Sequence, residues 1–235
     1  MVRAWVAILV AVWAFPANAQ EQIRFDILLG SIKAGELEIA ASEGAGRYAL
    51  KGRMRSTGLV AAIRKVRYDA STTGRLSGGR YVPSQYSEVT HSGKAQNSAE
   101  MAYRSGVPQV KVYTPPRAPE PTDVDPSTQG GSLDPLTALY AVLRAVPENA
   151  ACAAQFRTFD GKRVAQMQVS KASASADQIV CNGVYRRIAG YDAEELAERR
   201  QFPFTLYYTP GENGLWRVSR MELQTLYGKA RMIRK

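Results

Sequence analysis

A single histidine, two cysteines and one acid-free basic run are the side chains of this 235-residue chain whose types and spacing could do chemistry. His91 lies at the end of a strand-like segment beside Ser92-Gly93, where a hairpin turn is expected. A Ser-His-Asp centre needs a nucleophile on a sharp strand-to-helix turn, and no Gly-x-Ser-x-Gly occurs, so His91 reads as a turn residue at the surface. Phosphate-loop, dinucleotide and His-Glu-x-x-His patterns are also missing, so no catalytic, cofactor or metal residue is assigned. Carboxylates can meet in space from any positions, which leaves them as the one route to hydrolysis. Asp160 is better explained by the Asp160-Gly161 turn, and Glu194, Glu195 and Glu198 by the solvated face of a short helix. Asp123 and Asp125 lack the later ligands and glycine of a calcium loop.

Cys152 and Cys181 are read through the amino terminus. Residues 1–19 carry Arg3, an uncharged apolar core from Ala4 to Phe15, Pro16 and the small-x-small step Ala17-Asn18-Ala19, the layout of a cleaved export signal. The core is too short for a membrane-spanning helix, which needs about 20 residues. The expected mature domain is 20–235, periplasmic, with no membrane span after cleavage. An even cysteine count in an oxidising compartment favours a disulfide over a Cys-x-x-Cys redox pair or a four-ligand zinc site. Closing a loop of about 30 residues is worth about 3.6 kcal/mol on the chain-entropy estimate.

Charge is strongly basic, with a formal balance of +10. Arg47 to Arg67 holds seven basic residues and no acid, and Lys51, Arg53 and Arg55 alternate with Gly52 and Met54. Tyr48, Leu50, Gly52 and Met54 share the opposite parity, so this is a strand with one basic face. Lys51, Arg53, Arg55, Arg64, Lys65 and Arg67 form the candidate patch for an anionic surface. Its plainer explanation is a solvated face that keeps the protein soluble. Export argues against a nucleic-acid partner and toward anionic lipid or another envelope component, or a periplasmic protein.

The elements that must position these residues are mainly strands. Ile23, Phe25, Ile27 and Leu29 share one face, and the chain turns through Gly30–Gly35 into a second strand. Further period-two segments follow at 48–55, 66–72, 80–89 and 98–103, while 59–65 fits either a helical turn or a strand. Five prolines between 115 and 132 mark an extended surface loop. Asp134 caps and Pro135 opens a helix over 134–146 with its apolar stripe on a sheet. Asp160-Gly161 makes a hairpin turn, Asp192 with Glu195 starts a short helix over 192–201, and a β-bulge near Ser219 reconciles the two parities of the last long strand. The expected fold is one antiparallel, strongly curved sheet or open β-barrel, with one covering helix and one short helix.

Several short motifs carry a family resemblance: Phe25 with Ile32-Lys33-Ala34-Gly35-Glu36, Pro83-x-x-Tyr86, Asp134-Pro135-Leu136-Thr137-Ala138-Leu139, Phe159-Asp160-Gly161-Lys162-Arg163 and Cys181-x-Gly183-x-Tyr185. In this order they resemble a widespread proteobacterial family of exported proteins defined only as a domain of unknown function. The resemblance covers most of 22–228. It implies an envelope protein with a β-rich, barrel-like fold and no established catalytic residues. In strand layout there is a more distant likeness to periplasmic carriers that hold acyl chains in an open curved sheet.

Two functions are expected to compete. A non-enzymatic envelope protein that binds a lipid-like or anionic component, or a protein partner, predicts an apolar trough open to solvent. A hydrolase predicts clustered acids with His91 in a cleft.

Overall fold

The computed structural model describes residues 19–63, 65–93, 95–226 and 228–235. Residues 1–18, nearly all of the expected export signal at 1–19, and Arg64, Lys94 and Tyr227 lie outside them. Among the described residues, thirteen strands form one antiparallel sheet. The first seven are β1 (Ala19–Leu29), β2 (Ile32–Gly44), β3 (Arg47–Ser56), β4 (Val66–Ser77), β5 (Arg80–Ser92), β6 (Gln96–Arg104) and β7 (Val107–Thr114). The other six are β8 (Gln155–Phe159), β9 (Val164–Ala174), β10 (Ile179–Ala189), β11 (Gln201–Pro210), β12 (Trp216–Thr225) and β13 (Gly228–Arg234). Their spatial order is β7-β6-β5-β4-β3-β2-β1-β13-β12-β11-β10-β9-β8. Two meanders are thus joined where β1 pairs with β13, and β7 and β8 remain as edges.

The sheet curls until these edges face each other, but among the described residues no ladder joins them. A Cβ at Gly161, beside β8, would stand 2.7 Å from the Tyr113 hydroxyl of β7. The proline-rich segment straddles the seam: Val124 N–H donates to the Lys162 carbonyl at 3.0 Å and Gly131 N–H to the Gly106 carbonyl at 2.9 Å. Prolines lack an amide donor and suit such an extended strap.

Helix α2 (Pro135–Leu143) fills one side of the concave face. Asp134 accepts the Thr137 amide at 2.9 Å and Pro135 takes the first turn, as the sequence predicts. The helix stops at Leu143, earlier than the predicted 146, because Val146 exchanges two backbone hydrogen bonds with Trp216 at 2.9 and 2.7 Å. Gly52 of β3 makes room for the helix: a Cβ there would lie 2.5 Å from Leu136 Cδ1. Leu136, Tyr140 and Leu143 join Ile23, Phe25, Leu37, Ile39 and Leu50 in the core. At the helix end the Arg234 guanidinium donates to the Leu143 carbonyl at 2.9 Å.

Other local expectations meet the structure in detail. Residues 58–63 form helix α1 (Gly58–Ile63), which resolves the ambiguity of that segment. Helix α3 (Ala193–Glu198) begins in a complete Asp192–Glu195 capping box and ends before 201, where β11 starts. Tyr207 pairs with Arg220 and Tyr208 with Val218, so Ser219 is the extra residue of a bulge, and its hydroxyl donates to the Tyr207 carbonyl at 3.1 Å. Cys152 and Cys181 form a disulfide with Cα atoms 5.4 Å apart, which ties the segment after α2 to β10. Among the described residues no helix is long and apolar enough to cross a membrane.

Candidate functional site

Alternation along each strand sends one set of side chains to the concave face, and α2 covers only part of that face. It packs against β3, β4 and β8. On the uncovered part, β9 to β12 present Met167, Tyr185, Arg187, Phe202, Phe204, Met221 and Leu223. Together with Asp160, Arg163, Tyr191 and the 224–226 segment they line an open trough of about 470 Å³. Gly183 shapes its floor. A Cβ there would lie 2.1 Å from the Phe204 ring, so only glycine lets that ring lie flat across β10. The Cys181-x-Gly183-x-Tyr185 motif is therefore a disulfide anchor, a ring seat and a wall residue on one face of one strand.

Guanidinium groups collect at one side of the trough. Arg163 and Arg187 lie 5.0 and 5.1 Å from the Tyr191 ring centroid, and Arg187 and Arg199 lie 5.0 and 5.7 Å from that of Phe202. Cation–π contact holds the planar groups against the rings. Arg187 donates to the carbonyls of Glu195 and Arg199 at 2.5 and 3.0 Å, and Arg199 to that of Thr225 at 3.1 Å. Arg163 pairs with the Glu195 carboxylate at 3.0 Å. The Tyr185 and Tyr191 hydroxyls are 3.1 Å apart, and burial raises both above the ordinary tyrosine pKa. They stay neutral hydrogen-bonding groups in the trough wall.

Glu195 is therefore half-buried and structural, which corrects its expected place on a solvated face; Glu194 and Glu198 are exposed. Asp160 Oδ1 accepts the amides of Lys162 and Arg163 at 3.0 and 2.7 Å, the turn role its sequence context predicts. Asp123 takes both guanidinium nitrogens of Arg117 at 2.8 and 2.9 Å, and Asp125 accepts the Ser127 amide at 2.8 Å. His91 pairs in register with Arg67 and Gln96 near the end of β5.

The candidate basic patch lies on the convex side, apart from the trough. Neighbouring strands supply the acids its own stretch of sequence lacks. Arg53 pairs with Asp69 at 2.8 Å, Arg67 pairs with the same carboxylate, and Arg55 pairs with Glu36 at 2.8 Å. Glu36 also takes Lys33 at 2.7 Å and Lys235 at 3.2 Å. Lys33 and Arg55 together hold its carboxyl down to a pKa of about 2. Lys51 and Arg53 line a shallow convex hollow with Glu38 and Asp69. The strand is a mixed-charge surface, and Lys65 stands beyond it, exposed, after α1. Met54 shares the parity of the buried Tyr48 and Leu50 but is not buried with them. It is 38% exposed.

The interior beneath α2 is polar in a way sequence reasoning missed. Asp134 is fully buried; Thr137 Oγ1 donates to its Oδ2 at 2.6 Å and Thr72 Oγ1 lies 3.0 Å from the same oxygen. The Tyr48 hydroxyl donates to Thr137 Oγ1 at 3.1 Å. Burial pushes the Asp134 carboxyl up to about 6, against hydrogen bonds that favour its charged form. Nearby, the Tyr68 and Tyr86 hydroxyls both donate to Glu88. The signal that could have found this network is the polar residues at inward parity, Thr72, Tyr86 and Glu88.

Comparison with known proteins agrees with this architecture. The structure is similar to the crystal structure of a beta-barrel-like protein of the DUF1849 domain of unknown function from Brucella abortus. The two share 14% sequence identity at a TM-score of 0.51, over 92% of this chain and 95% of the other. That identity supports the shared fold alone. No functionally curated protein matches the sequence. The family model described as "Protein of unknown function (DUF3108)" matches residues 24–233, nearly the whole sheet with its covering helix and trough, and the chain belongs to that family.

Proposed function

We propose that this is a non-enzymatic cell-envelope protein that binds an amphipathic molecule, its hydrocarbon part in the trough and an anionic group at the arginine side. The trough is the observation that carries this reading. Its volume of about 470 Å³ falls within the about 300–1,000 Å³ of small-molecule sites. Met167, Met221 and Leu223 offer adaptable apolar contact, and Tyr185, Phe202 and Phe204 offer flat ring surface. Arg163, Arg187 and Arg199 stand against the carboxylates of Asp160 and Glu195, an excess of one positive charge beside an apolar surface. That combination suits a carboxylate or phosphate on a chain. Export to the periplasm belongs to the same proposal and is supported by the Arg3 to Ala19 leader and by the Cys152–Cys181 bond, which suits an oxidising compartment.

Titration with 11-(dansylamino)undecanoic acid, a fluorescent fatty acid, tests the trough. Binding should be saturable, and Leu223→Trp, which fills the trough, should weaken it at least about tenfold. Equal binding by the variant, with its melting temperature kept, would place the probe elsewhere and refute the site.

A further inference from the structure

We infer that the open end of the sheet docks on an anionic lipid bilayer surface through a rim of consecutive turns. The segments 29–33, 56–67, 91–96 and 224–231 hold no acid, and their described residues include Lys33, Lys65, Arg67, Lys229 and Arg231. They are neighbours at one end of the strands. Gly30 N–H donates to the Lys229 carbonyl at 3.3 Å, the Arg231 guanidinium donates to the Gly30 carbonyl at 2.9 Å, Thr57 N–H donates to the Ala34 carbonyl at 3.0 Å, and Val66 pairs with Ser92.

The same turns hold apolar side chains that nothing covers. Ile32 is 53%, Leu59 71%, Ile63 89% and Leu226 39% exposed. Large aliphatic side chains clustered on one rim mark a contact surface, and basic residues around them select an anionic one. Shallow insertion of aliphatic residues beside lysines is how peripheral proteins lie on a headgroup layer. Arg53 and Arg55 on the strand face are already paired with carboxylates, as are Lys33 and Arg67 in the rim, so Lys65, Lys229 and Arg231 carry the attraction. Leu226 belongs both to this rim and to the trough lining, so docking would set the mouth of the trough at the bilayer. Apart from Leu226, the docking rests on residues outside the trough and stands independently of that reading.

Co-sedimentation of the purified chain with phosphatidylcholine vesicles, with and without phosphatidylglycerol, tests it at low and physiological salt. Binding is expected only with phosphatidylglycerol, weakening as salt rises. Lys65→Glu with Lys229→Glu should lower it at least about tenfold, and Leu59→Ser with Ile63→Ser should lower it at both salt concentrations. All four substitutions leave the trough unchanged, so these variants should keep their melting temperature and their fluorescent fatty acid binding. Failure to bind mixed vesicles, or binding that survives both variant pairs, overturns the docking without touching the trough. Loss of probe binding in Leu223→Trp with vesicle binding intact would support the two surfaces as separate.

Discussion

The concave face of the sheet behaves in two ways on its two sides, although the strands are built alike. Beneath α2, inward polar groups are paired with one another: Asp134 with Thr72 and Thr137, Tyr48 with Thr137, and Glu88 with two tyrosines. Across β9 to β12 the inward groups are rings, methionines and leucine, and the charged groups sit at the margin against ring faces. Burial explains the division. A covered face must satisfy its polar atoms internally, whereas an uncovered face can keep apolar surface only if something other than the fold uses it. The covered side should therefore respond to mutation in stability and the open side in binding.

The largest effect should come from the bond that links the two sides. Cys152→Ser with Cys181→Ser should cost about 3.6 kcal/mol in denaturant unfolding, since the bond spans 29 positions. A loss under about 1 kcal/mol would mean that α2 and β10 hold together without it. Next, Asp134→Ala removes a helix cap and the carboxylate that accepts from the buried Thr137 hydroxyl, and should cost about 2–3 kcal/mol while sparing ligand affinity. Reduced affinity in the folded variant would show that the two sides are coupled.

The pH dependence of stability sharpens the same contrast. The Asp134 carboxyl sits at about 6 in the folded chain against an ordinary value of 3.8, so the folded state holds its proton more tightly. Its contribution is fully present below pH 4 and is lost as pH rises to about 6, on the order of 3 kcal/mol. Asp134→Asn should flatten that window in urea titrations, and an unchanged slope would show that Asp134 is not the group responsible. Glu36 has the opposite sign. Held at about 2 by Lys33, Arg55 and Lys235, it stabilises above its unfolded value near 4.5 and loses that contribution as pH falls. Because the pairs are solvent-exposed, Glu36→Gln should cost no more than about 1 kcal/mol at neutral pH, the smallest effect expected.

Local chemistry was legible in the sequence wherever one short segment decides the outcome. Asp134-Pro135, the Asp192–Glu195 capping box, the Asp160-Gly161 turn and the Ser219 bulge each depend on residues close in sequence, and each forms as predicted. The cysteine pair followed from compartment and count. What depends on register across strands was hidden. Arg53 meets Asp69 sixteen positions away and Arg55 meets Glu36 nineteen positions away, so a run without acids gave a bare basic face that the folded sheet does not have. The trough was hidden for the same reason, because Met167, Phe204 and Leu223 come together only when β9 to β12 align. Gly183, read as one position of a motif, gains its meaning from a ring on the next strand. The choice between a closed barrel and an open sheet also rested on the seam, where a proline-rich strap lies instead of a ladder.

The most direct test of a ligand trough on the uncovered side is methyl NMR of methionine-labelled protein during addition of a medium-chain fatty acid. Met167 and Met221 line the trough, and Met101 lies buried on the covered side. The Met167 and Met221 methyl signals should move in saturable fashion while that of Met101 stays fixed. Movement of Met101 alone, or of none of the three, would contradict the account.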